Sequence, residues 1–324
     1  MLKRVLIFLA VVAGLLWLRN TSAFTPARSE VGPGIIAHRG VHQTYGREDM
    51  DSETCTATRI HPLTHGLIEN TLPSMRAAFD AGATVVELDV HLTPDDAFAV
   101  FHDWTLDCRT EASGVTQDTP MSTLKQLDVG YGYTADGGQT FPLRGKGVGL
   151  MPTLPEVFEA FPEGRFLINF KSRRAEEGDA LAAMLAQHPE WRKQVWAVYG
   201  GAPPSETAAR LIDGLPYFTK QTAKACLKDY LVIGWTGHVP DSCHDTIVTV
   251  PVSHARLMWG WPRAFEARME AAGSQVVLFG PYAGRNGTTG IDDADLLRHV
   301  PKAFGGFIWT DDVIQIGSAL HADE

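Results

Sequence analysis

The feature that most constrains this chain is an alternation. From about residue 34 to the C-terminus, short β-rich runs take turns with helical stretches. Strands separated by helix-length segments pair in parallel through crossovers, which selects an α/β architecture. Strands are expected at 34–38, 84–90, 98–102, 166–170, 195–199, 247–252, 276–279 and 306–309. Eight is the number that closes a (β/α)8 barrel of the TIM type, here predicted over residues 34–316 as one domain. The 324 residues and 44% apolar content supply a core of that size. Thr71 followed by Pro73 and an apolar stripe through Phe79 predicts a capped helix, and Thr153 with Glu156 predicts a capping box. Further helices are expected at 175–188 and 262–273. Two segments break the rhythm, 41–68 (polar, rich in His and Thr) and 105–150 (rich in Gly and Asp). Both follow strand ends, where barrels build their sites, so both are expected to wall one.

Val5 to Leu18 is an uninterrupted apolar or small run, preceded by Lys3 and Arg4 and followed by Arg19. Fourteen residues fall short of the roughly 20 a spanning helix needs, and Thr21, Ser22 and Ala23 offer a small-residue cleavage site. Residues 1–23 therefore read as an export signal, with cleavage favoured over a retained inner-membrane anchor, and the remainder as periplasmic or otherwise extracytoplasmic. Cys55, Cys108, Cys226 and Cys243 make an even count, compatible with disulfides in that compartment. Sequence separation favours Cys226 with Cys243, leaving Cys55 with Cys108. A formal charge of −10 with no Lys/Arg-rich tract disfavours nucleic acid. No protein partner is predicted.

Four runs carry the chemistry. His38-Arg39-Gly40 ends the first expected strand, pairing a proton-transfer group with a guanidinium whose fork matches phosphate oxygens. In Glu87-Leu88-Asp89-Val90-His91, strand alternation puts 87, 89 and 91 on one face and the apolar residues on the other. Buried carboxylates that close raise one another's pKa unless a cation neutralises them, which points to a hard divalent metal on oxygen ligands. His102, at the end of the run from Phe98, supplies a second imidazole: one histidine to take a proton from a nucleophile, one to protonate the leaving oxygen. In Leu167 to Lys171, alternation sets Asn169 and Lys171 on one side, a carbonyl oxygen for the metal and a cation for developing charge.

In order along the chain, HRG at 38–40, ENT at 69–71, ELDVHLTPDD at 87–96, VFHDWTLDCRT at 100–110, PTLPEVF at 152–158 and INFK at 168–171 resemble the glycerophosphodiester phosphodiesterase family, and GFIWTDD at 306–312 resembles its last strand. The resemblance implies a TIM-type barrel that hydrolyses glycerophosphodiesters to sn-glycerol 3-phosphate and an alcohol, using one divalent ion, Ca2+ or Mg2+. It also implies an acid/base pair in His38 and His102, metal ligands in Glu87 and Asp89, phosphate contacts in Arg39 and Lys171, and Glu69 lining the site. Its usual route is attack by a glycerol hydroxyl to give a cyclic phosphate, which water opens. The 105–150 segment is similar to the insertion that covers the glycerol end of the substrate.

Two features depart from the family. Asn169 stands where the family carries Glu, which removes a negative charge from the metal site, and the spacing from HRG to ENT is long. His42, His61 and His65 in that long segment are expected to be solvated loop residues. Two other readings of the chain are a phospholipase D-like enzyme and a catalytically inactive barrel that binds phosphodiesters. The first would act on lysophospholipid or sphingomyelin, with Trp259-Gly260-Trp261, Tyr131 and Tyr133 as an apolar rim. Membrane association is expected only through the N-terminal segment.

Overall fold

A computed structural model describes residues 1–26, 32–50, 54–284 and 289–321, so 51–53 of the first expected insertion lie outside the described residues. The strands are β1 (Gly34–Ala37), β2 (Val85–Leu92), β3 (Phe98–Val100), β4 (Phe166–Phe170), β5 (Val195–Gly200), β6 (Tyr217–Phe218), β7 (Ile247–Pro251), β8 (Gln275–Phe279) and β9 (Phe307–Thr310). All but β3 run parallel, in the order β6-β5-β4-β2-β1-β9-β8-β7. A parallel bridge between Tyr217 and Thr246 brings the two ends together, making a nearly closed eight-stranded TIM-like barrel.

Eight barrel strands were expected, but one of those named is not among them. The run at 98–102 forms β3, antiparallel to β2. Only five residues separate β2 from β3, too few for a parallel crossover, and Asp96 at φ 58 closes a tight hairpin instead. His102 therefore lies two residues beyond a hairpin strand. The place in the barrel goes to β6, two residues between Pro216 and the helix cap Thr219, too short to show any periodicity.

Alternation sorts the side chains into layers. Ile36, Val85, Leu167, Ala197 and Phe307 pack inside the barrel. Their neighbours Ile35, Val86, Leu88, Ile168 and Ile308 pack outward with the helices. Two residues further along each strand, the inward positions become His38, Glu87, Asn169, Tyr199 and Trp309. The barrel is thus apolar at its lower end and polar at the C-terminal strand ends, where a parallel barrel builds its sites. The expected caps form: Thr71 Oγ1 accepts from Ser74 N on α2 (Leu72–Asp80), and Thr153 with Glu156 makes a capping box on Leu154–Ala160.

The two insertions are less separate than their sequences suggest. Ala57, Ile60 and Ile68 from the first pack with Leu106, Leu124, Tyr133 and Leu143 from the second in a satellite core. Cys55–Cys108 ties the segments together, and Cys226–Cys243 forms elsewhere, so both expected pairings are present. Tyr133 is buried in this core, which removes it from the apolar rim considered above. Residues 2–20 form α1 (Leu2–Asn20), none of whose residues is buried. Among the described residues no helix is long and apolar enough to cross a membrane.

Candidate active site

Backbone turns in two segments, at 38–40 and 69–70, set the site. His38 N donates to Thr310 O at 3.0 Å, carrying the β1–β9 pairing one residue past the strand. Arg39 then adopts φ 59 and Asn70 φ 57, a conformation costly for side-chain-bearing residues and concentrated at functional sites. What holds Arg39 there is visible: its N–H donates to Glu87 Oε2 at 3.0 Å and its carbonyl accepts from Asn70 N at 3.0 Å. Gly40 follows at φ 77, where a Cβ would stand 2.4 Å from Ser74 Oγ, so the third residue of the motif lets the turn close onto α2.

Glu87 and Asp89 are fully buried on the inward face of β2. Asp89 accepts from Asn70 Nδ2 at 2.9 Å and Asn169 Nδ2 at 2.8 Å, with Arg39 Nε at 3.4 Å and Lys171 Nζ at 3.3 Å. Burial alone would raise its pKa, but Lys171, His102 and Arg39 hold it well below the ordinary carboxylate range. Glu87 lacks such company: it accepts from Tyr199 OH at 2.6 Å and Arg39 N. Burial, then the charge on Asp89, push it up to about 8. Glu69 bridges two guanidiniums, Arg39 NH1 at 3.0 Å and Arg109 NH2 at 3.1 Å, which overcome its burial and keep it ionised.

Each histidine is backed by an aspartate. His38 Nδ1 lies 2.5 Å from Asp311 Oδ1, and its Nε2 accepts from Arg39 Nε at 3.2 Å. That pairing places the proton on Nδ1 and leaves Nε2 as the basic nitrogen, 3.9 Å from Glu87. His102 Nδ1 lies 2.6 Å from Asp103 Oδ1, and Asp103 is gripped in turn by Arg109. Burial, then the charge of Arg39, lower both imidazoles well below 6.5, so both are neutral at pH 7.

The structure brings His38, Arg39, Glu69, Glu87, Asp89, His102, Asn169 and Lys171 together at the strand ends, though not always in the expected pose. Asn169 presents its NH2 to Asp89, while its oxygen turns toward Gly200, where a Cβ would stand 2.1 Å away. His42 is not a solvated loop residue: it is buried, with Nε2 3.7 Å from Asp311 Oδ1, because the first insertion folds back over the barrel mouth. His65 is half-buried against Gln43, and His61 is exposed as expected. Sequence reading passed over Asp311, Asp103, Arg109, Tyr199 and Asn70 as site residues. Four of them sit inside motifs already singled out, and Tyr199 occupies the inward register two places beyond Ala197.

For a metal, the carboxylates are the relevant donors. Five of them (Glu69, Glu87, Asp89, Asp103, Asp311) meet four cations (Arg39, Arg47, Arg109, Lys171), and the surplus falls on Glu87. Paired oxygen donors, one of them kept protonated for want of a cation, fit a hard divalent ion. A second grouping, His38, His42 and Asp311, brings three ligand atoms within 4.8 Å of one another. Its aspartate is already committed to His38 and Arg47.

Two aspartate-backed imidazoles, a guanidinium and an ammonium thus gather around a carboxylate pair at the C-terminal mouth of the barrel. The glycerophosphoryl diester phosphodiesterase family model matches residues 38–193, and the chain belongs to that family. A glycerophosphodiester phosphodiesterase of Caldanaerobacter subterraneus is 37% identical over 103 residues, 32% of this chain and 39% of that protein. The matched stretch thus spans about two-fifths of that relative. The glycerophosphoryl diester phosphodiesterase domain of a Mycobacterium tuberculosis protein superposes with a TM-score of 0.60 at 18% identity, covering 90% of this chain and 100% of that one. An Oleispira antarctica phosphodiesterase, solved with the product sn-glycerol-3-phosphate, gives 0.54 at 21% identity, covering 90% and 97%.

Proposed function

We propose that this protein hydrolyses glycerophosphodiesters to sn-glycerol 3-phosphate and an alcohol, with His38 and His102 exchanging protons at the two oxygens of the reacting phosphorus. The observation that carries this is the pair of aspartate-backed imidazoles flanking the Glu87–Asp89 face. An Nδ1–H held by a carboxylate fixes the tautomer and leaves Nε2 as the basic nitrogen, the arrangement a general base needs. A glycerol hydroxyl that gives its proton to one imidazole attacks phosphorus, and the alcohol leaves with a proton from the other. Water then opens the cyclic phosphate with the roles reversed.

Arg39 and Lys171 supply positive charge where the phosphoryl oxygens gain it. Arg39 is held for that task by Glu69, Asp89 and its own strained turn. A divalent ion, Ca2+ or Mg2+, would be held by Glu87 and Asp89, with Asn169 contributing its oxygen after a half-turn of the amide. When bound it supplies Lewis-acid charge to the phosphate. The inactive-barrel reading has less support, since no cation, carboxylate or imidazole of the constellation is missing apart from the Asn169 exchange.

The test is release of sn-glycerol 3-phosphate from glycerophosphocholine by the purified full-length protein, first in EDTA and then with Ca2+ or Mg2+ restored. Metal-dependent release is expected. Folded protein that releases nothing under either metal overturns the proposal.

A further inference from the structure

We propose that α1 and the aromatic patch at its base form one lipid-binding surface that seats this protein against a bilayer. The inference is independent of the catalytic reading and begins with a contradiction in α1. Its apolar side chains run all the way round, and Leu6, Phe8, Leu9, Val11 and Trp17 are each more than half exposed. A helix hydrophobic on every face is stable only where an apolar medium surrounds it. A protein partner would bury one stripe and leave the others in water.

The foot of the helix, by contrast, is built into the domain. Ser22 Oγ accepts from the backbone N–H of Arg263 at 3.1 Å and Ala264 at 3.3 Å and donates to Gly260 O at 2.8 Å. It thereby caps helix Arg263–Ala271, whose own N-cap, Pro262, has no side-chain donor or acceptor to offer. Asn20 Nδ2 donates to Trp235 O at 2.8 Å, and Arg268 donates to Arg19 O at 2.6 Å and to Asn20 Oδ1 at 3.2 Å. A segment discarded after Ala23 would take these bonds with it. The geometry thus favours retention, against the cleavage expected from composition.

Around that foot lies the rest of the surface. Trp17, Trp235 and Trp259 line, with Leu16, an open cleft of about 750 Å³. Trp235 and Trp259 are 42% and 41% exposed, and Val232, one turn before Trp235, is 65% exposed. Tryptophans gathered at the base of an apolar helix match the aromatic belt at a membrane interface, and Lys3, Arg4 and Arg19 bracket the apolar run with charges suited to lipid phosphates.

The experiment uses the full-length chain and vesicles of phosphatidylethanolamine and phosphatidylglycerol carrying brominated acyl chains. The wild type should float with the vesicles and lose tryptophan emission. Trp235→Phe and Trp259→Phe should each retain a larger share of emission. Val232→Asp combined with Trp235→Ser should weaken vesicle partition about tenfold while leaving thermal unfolding and turnover of soluble substrate unchanged. Three outcomes overturn the proposal. One is flotation unaffected by the double substitution, with quenching from Trp17 alone, which reduces α1 to a tether. Another is a dimer in vesicle-free buffer that already shields these tryptophans. The third is an exported protein whose N-terminal sequence begins beyond Ala23.

Discussion

The two histidines stand in matching frames with unequal foundations. Each Nδ1 meets an aspartate, and each aspartate meets an arginine: His102–Asp103–Arg109 on one side, His38–Asp311–Arg47 on the other. Arg109 is buried and spends its remaining donors on Glu69, Thr56 and Tyr133, inside the satellite core that Cys55–Cys108 closes. Arg47 has a side chain 38% exposed and reaches Asp311 from the rim of the first insertion. The same chemical motif is thus anchored once by the fold and once by a surface side chain. Buried networks fail when one member is removed, whereas exposed ion pairs contribute little. The His102 frame should accordingly be a determinant of stability, and the His38 frame an adjustable one.

Removing Arg109 attacks the comparison at its strongest point. Arg109→Ala leaves Glu69 and Asp103 without their main partner and should lower unfolding free energy by about 3–5 kcal/mol in urea titrations. A loss no larger than that from Arg47→Ala would erase the difference between the frames. Glu87, beside His38, tests the electrostatics of the ground between them. Its folded pKa of about 8 lies above the 4.5 of a free carboxyl. Its contribution to stability is therefore complete below about pH 4.5 and is lost as pH rises toward 8. In EDTA, wild type should lose up to about 5 kcal/mol relative to Glu87→Gln across that window; parallel pH profiles would show that Glu87 is not held protonated. Asp103→Asn and Asp311→Asn should each lower kcat about 10- to 100-fold by disturbing tautomer and aim. Arg47→Ala, the smallest change, should cost less than about 1 kcal/mol in stability and leave thermal unfolding nearly unchanged, with kcat reduced only a few-fold.

The same contrast explains what could be read from sequence. Wherever a strand alternates through apolar residues into polar ones, as in Val85-Glu87-Asp89 or Leu167-Asn169-Lys171, the inward face and its site residues were legible, because period two leaves one choice of side. The hairpin β2–β3 was legible in principle, because the few residues between the two runs leave no room for a parallel crossover. Tyr217–Phe218 carries no such pattern, so the strand count came out right with one member misplaced. His42 and Arg47 lay beyond reach for another reason. They act through a long insertion whose return to Asp311, more than 260 positions away, is set by tertiary packing and leaves no local mark. Arg109 sat inside a recognised motif, but its role depends on Glu69 and Tyr133 from other segments.

The central claim is that both imidazoles move protons, and the most direct measurement is turnover of glycerophosphocholine by His38→Ala and His102→Ala beside wild type, with far-ultraviolet circular dichroism confirming that each variant is folded. Losses of about 100-fold or more in both are predicted. Near-normal rates in both folded variants would contradict the two-histidine mechanism.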